Sequence, residues 1–135
     1  MNAFTTLAAP SLEDLAALAE AAFAELPAKF RQLAGEVVFR VDDFASDEVL
    51  QELRIEDPFE LTGLYQGVSL RHRSHFDPSP EPSRVFLYRR PILDEWAERG
   101  DVTLGEMVAH VLVHEIGHHF GLSDDDIDTI EARVD

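Results

Sequence analysis

With 135 residues, no cysteine and a formal net charge of −16, the chain rules out several chemistries before any motif is read. Disulfides and thiolate metal sites are excluded, and so acidic a molecule lacks the phosphate-neutralising surface that nucleic-acid binding needs. The length suits one domain spanning residues 1–135, able to bury about 68% of its unfolded surface without covalent staples.

The opening stretch, MNAFTTLAAPSLEDL, has no basic segment and no long apolar run, so no signal peptide is expected. Nothing along the chain approaches the ~18 uninterrupted apolar residues of a membrane span. A cytoplasmic location without membrane partners is the resulting expectation. The acidity serves solubility first, and would also draw in basic peptides.

Residues 1–10 read as a frayed start. Ser11 with Asp14 forms a capping box, and Leu12, Leu15, Leu18, Ala19, Ala22, Phe23 and Leu26 recur at helical spacing. Pro27 breaks that helix or restarts a short one running to Gly35. Glu36 to Val41, EVVFRV, alternates as a strand, and Asp42 and Asp43 close it in a solvated turn. Ser46 caps a short helix to about Leu53, and Asp57-Pro58 ends that region.

Leu61 to Leu70, LTGLYQGVSL, predicts a strand in which Gly63 and Gly67 flank Tyr65. Glycines inside a strand mark a bulge or a close backbone approach, with substrate as one candidate partner here. Tyr65 suits edge-strand packing, with oxyanion donation as the alternative. The loop RHRSHFDPSPEPS follows, rich in proline and serine, and leaves His72 and His75 solvated. RVFLYR, residues 84–89, is apolar enough to be the central strand. Pro91 starts a helix that Gly100 stops, with Trp96 on its buried side.

The chemistry sits in the next segment, TLGEMVAHVLVHEIGHHFGLSDD, residues 103–125. Thr103 and Glu106 make a second capping box. Leu104, Met107, Val108, Val111, Leu112, Val113, Ile116 and Phe120 put apolar groups on nearly every side, which predicts a helix buried mid-domain. Within it, His114, Glu115 and His118 spell H-E-x-x-H. Two imidazoles four residues apart rise from one face a single turn from each other, so both can reach one cation. Two histidines and a glutamate in a buried helix need partners, and a metal with an activated water satisfies all three. Glu115 is placed to take the water's proton. His119 is turned about 100° from His118 and stays outside the site, whereas His110, one turn before His114, is expected in the core or behind the ligands, with the site's edge as the alternative.

Gly121 suits the left-handed position that ends a helix and reverses the chain. Asp124 then lies where it can return toward the histidines as third ligand, with Asp125 and Asp128 as alternatives. The run Ser123, Asp124, Asp125, Asp126 also suits the start of a last helix. Two histidines, a carboxylate and an open position form a catalytic type of zinc ligation, and Mn²⁺ or Fe²⁺ would also accept such a set. Imidazole ligands must be unprotonated, so metal affinity should fall steeply below about pH 6.

Taken together, LYQGVSL, RVFLYRRPIL and HEIGHHFGLSDDDID resemble the bacterial zincin-like metallopeptidases, a minimal zincin domain carrying the metzincin-like motif H-E-x-x-H-x-x-G-x-x-D. The resemblance implies an α+β fold, a small mixed sheet packed on the buried metal-binding helix with flanking helices. It implies zinc held by His114, His118 and Asp124, with Glu115 as general base, and peptide or protein substrates added along a sheet edge. Metzincins also carry a Met-turn downstream, whereas the methionines here are Met1 and Met107, and eleven residues follow Asp124. A lower subdomain cannot be built from so few. The expected function is therefore a zinc-dependent peptidase, with a non-catalytic zinc-stabilised interaction domain as the alternative.

Overall fold

The computed structural model describes residues 5, 7–34, 37–67, 83–122 and 125. In chain order the elements are α1 (Leu12–Ala24), α2 (Ala28–Leu33), β1 (Val38–Asp42), α3 (Asp47–Glu52), a 3-10 turn (Pro58–Glu60), β2 (Gly63–Gln66), β3 (Arg84–Tyr88), α4 (Arg89–Arg99) and α5 (Leu104–His119). The strands form a mixed sheet in the order β1-β3-β2, with β1 parallel and β2 antiparallel to β3. Helices and a small mixed sheet make this an α+β fold, as expected, and RVFLYR is its central strand.

Local sequence accounts for most of the helix starts. Ser11 accepts from the Asp14 backbone N–H while Asp14 accepts from that of Ser11, so the first capping box closes in both directions. Ser46 caps α3 through the Val49 N–H, and Thr103 caps α5 through the Glu106 N–H. One start differs from expectation. Helix α4 begins at Arg89, two residues before Pro91. Proline is tolerated there because the first turn of a helix has no intrahelical acceptor for its N–H groups. The other end follows the sequence, with Gly100 in the left-handed region at φ 71°.

Strand β3 alternates its side chains between the two faces of the sheet. Val85 and Leu87 enter the main core with Leu15 and Ala19 of α1 and with Met107, Val108, Val111, Leu112 and Ile116 of α5. Phe86 and Tyr88 turn the other way, onto Ala45, Leu50 and Leu64. Helix α5 thus lies between α1 and the sheet, with α4 also packed on it. Its apolar surround matches the buried helix that its composition predicts. Among the described residues, no helix is long and apolar enough to cross a membrane.

Tyr88 gives the fold a measurable alkaline limit. Burial pushes its hydroxyl up to about 12, helped by Asp42, its register partner on β1, and then by Glu115. An unfolded tyrosine ionises near pH 10. The folded state therefore holds the proton more tightly, and the stability this confers is intact below about pH 10 and lost as pH rises through about 12. Tyr88→Phe is expected to remove that dependence, so wild type should lose on the order of 2 kcal/mol more than the variant across that window. Urea midpoints measured at steps of pH check it, and parallel curves would show that Tyr88 does not titrate with unfolding.

Candidate metal centre

Two neighbours hold α5 at the depth the site requires. On one side lies α1, and on the other lies β2, brought unusually close by Gly63. A Cβ at Gly63 would stand 2.8 Å from Val111 Cγ1, 3.1 Å from Glu115 Cγ and 3.2 Å from the Phe86 carbonyl oxygen. The close backbone approach read from this glycine is real, and among the described residues α5 is its partner. A glycine in a strand signals that something comes near without saying what.

Within α5, His114, Glu115 and His118 each present a ligand atom, and these atoms all lie within 4.8 Å of one another. The two imidazoles are nearly perpendicular, at 85°, with centroids 5.0 Å apart. Donors 2.0–2.1 Å from a tetrahedral zinc ion stand roughly 3.3 Å from each other, so small side-chain rotations close the pair onto one ion. Glu115 is 7% exposed, and its Oε1 lies 4.0 Å from His118 Nε2. The set of two nitrogens and one carboxylate fits a divalent metal by chemistry and by spacing.

The helix end fixes which nitrogen of His118 faces that position. Gly121 adopts φ 82°, its N–H donates to the His118 carbonyl, and the Leu122 N–H donates to that of Gly117. These two bonds are the Schellman pattern, the helix stop that Gly121 predicts. The reversal also delivers the Leu122 carbonyl to His118 Nδ1 at 3.2 Å. A carbonyl only accepts, so Nδ1 carries the proton and Nε2 keeps the lone pair that a metal needs. Sequence reasoning found the glycine but missed this consequence. Both imidazoles also stand near the C-terminus of α5, whose dipole favours a cation.

A groove of about 670 Å³ opens over this cluster, walled by β2 on one side and by His110, His114, Glu115 and His118 on the other. His110 is exposed along it, at the edge of the site and not in the core. At the end away from His118 the wall is completed by Glu60 and by Glu95 and Arg99 of α4, the last two paired at 3.9 Å. The Tyr88 N–H donates to the Thr62 carbonyl, so Thr62, Leu64 and Gln66 turn their backbone groups toward β3. Gly63 and Tyr65 turn theirs off the sheet edge, where no strand among the described residues pairs with them.

Other candidates fall elsewhere. Tyr65 Oη is 2.8 Å from His119 Nδ1 and 3.0 Å from Ser83 Oγ, so the packing role holds and the oxyanion role gains no support. His119 is 1% exposed and outside the metal cluster, as its angle on the helix predicts. Asp124 and Asp128 lie outside the described residues, as do His72 and His75, and Asp125 is exposed.

Comparison with known proteins follows the same line. No curated protein matches the chain. A family model described as zincin-like metallopeptidase matches residues 34–134, well over half the chain. That match contains the whole sheet, the groove and the His114, Glu115, His118 cluster, and the chain belongs to the zincin-like metallopeptidase family.

Proposed function

We propose that the protein is a zinc-dependent peptidase whose zinc ligands are His114, His118 and Asp124 and whose general base is Glu115. The observation that carries this reading is the cluster itself, two imidazoles and a nine-tenths buried carboxylate converging at the floor of a groove beside a strand edge. Zinc bound there supplies a Lewis acid, which polarises the scissile carbonyl and makes a water easier to deprotonate.

The chain's own residues do the rest. A peptide lies along β2 as an added strand, hydrogen-bonded to the outward backbone groups of Gly63 and Tyr65. Glu115 accepts the proton of the attacking water and returns it to the leaving amine. Its burial beside His118 excludes competing solvent and holds the carboxylate to one side of the groove. Leu122 keeps His118 in the tautomer that ligation requires.

Elemental analysis and a peptide-library cleavage screen, each with and without a chelator, test the reading. One zinc per chain is expected, with cleavage lost on chelation and restored by added zinc. Chain free of metal after dialysis against zinc would remove the whole proposal. Zinc uptake without cleavage of any library member would leave the zinc-stabilised interaction domain instead.

A further inference from the structure

Two histidines stand side by side at the end of α5, and only the first lies in the metal cluster. We propose that His118 and His119 divide the work, with His119 acting through Tyr65 as a positioning residue that braces the turn carrying His118 against β2. The inference rests on the zinc reading above.

His118 occupies the part of a helix least able to hold a ligand still. Beyond α5 no further helical turn donates to its last carbonyls in the regular pattern, the two Schellman bonds taking that place, and helix ends open locally at low cost. A zinc ligand, by contrast, must hold its position to within about 0.2 Å. Something beyond the helical ladder has to fix this turn.

Two side-chain bonds leave it in different directions. On the groove side, His118 Nδ1 donates to the Leu122 carbonyl just beyond the helix. About 100° further round, His119 points into the core. Its Nδ1 is 2.8 Å from Tyr65 Oη, and the two rings meet at 61° with centroids 5.5 Å apart. Tyr65 Oη is also 3.0 Å from Oγ of Ser83, which is 2% exposed at the foot of β3. Polar contacts in such a partly buried place are stronger than at the open surface, and they fix one geometry where apolar packing alone would allow several. The brace thus runs from the ligand's turn through His119 and Tyr65 to both β2 and β3.

The anchor point also matters for the groove. Tyr65 turns its backbone groups off the sheet edge while its hydroxyl holds His119. One residue therefore links the metal-bearing turn to the strand edge along which a peptide would lie. A brace of this kind lowers the ordering cost of binding the ion, because the turn is already in place.

Zinc affinity, measured by competition with a chromophoric chelator, tests the brace without relying on catalysis. Tyr65→Phe keeps the ring and removes the hydroxyl, and is expected to weaken zinc about tenfold, the order that one net hydrogen bond supplies when all of it is felt at the site. His119→Leu removes the same bond from its other end and should weaken zinc to a similar degree. The double variant should be no weaker than either, because one interaction is lost only once. Leu50→Ala is the control, a buried residue of α3 in the separate cluster on the other face of the sheet. It should lower the melting temperature and leave zinc affinity within about twofold. The inference is overturned if both single variants stay within about twofold of wild type, if their losses simply add, or if Leu50→Ala weakens zinc equally. A wild type that takes up no zinc overturns the metal reading itself, a result distinguishable from all of these.

Discussion

Glu115→Gln is expected to keep its zinc and to lose peptide hydrolysis by roughly 10²–10⁴-fold, the range a positioned proton acceptor contributes. The substitution preserves shape and most hydrogen bonding in a site where Glu115 is 7% exposed and little room exists for rearrangement. What it removes is the ability to take a proton from water. The same variant separates two roles that geometry leaves close together, since Glu115 Oε1 lies 4.0 Å from His118 Nε2. Were Glu115 a ligand, the amide would lower zinc content as well as turnover. Zinc per chain and cleavage rate, measured on one preparation, therefore distinguish base from ligand. Undiminished cleavage would falsify the general-base assignment outright.

The convergence of His114, Glu115 and His118 was legible in the sequence because the signals behind it are local. Capping residues, the four-residue spacing of His114 and His118, and the glycine at 121 act within one or two turns. The central position of RVFLYR was legible for a related reason, since a near-continuous apolar run has to be covered on both faces. What escaped depended on contacts distant in sequence. Gly63 announced a close approach, but the neighbour, Val111 and Glu115 on α5, is set by sheet order and helix docking. His119 carried a sound negative, outside the metal cluster, with no hint that Tyr65, on a strand far earlier in the chain, would be its partner. His110 was placed in the core in preference to the site's edge because the helix is apolar nearly all round in sequence, while the groove uncovers one strip of it. Helix α4 began early because proline restrains its own φ without forbidding a turn before it.

The second large effect is expected at Gly63. Gly63→Ala should cost about 3 kcal/mol, the upper end for an added methyl group in a filled interior. The new Cβ would meet three groups at 2.8, 3.1 and 3.2 Å, and two of them cannot step aside. Val111 is 4% exposed and branched at Cβ, so its methyl has no second rotamer to adopt on a helix. The Phe86 carbonyl belongs to the central strand. The contact is relieved only if β2 withdraws from α5 or Glu115 is pushed along the groove, and either change reaches the His114, Glu115, His118 cluster. Gly105 gives the opposite sign for the same chemical change. A Cβ there meets Leu18 Cδ2 at an ordinary 3.7 Å in the first turn of α5, so Gly105→Ala should stabilise by about 0.5–1 kcal/mol through the lower flexibility of the unfolded chain. Urea unfolding of both variants decides the matter. Equal shifts at the two positions would mean that β2 does not rest against the metal-binding helix as closely as Gly63 allows.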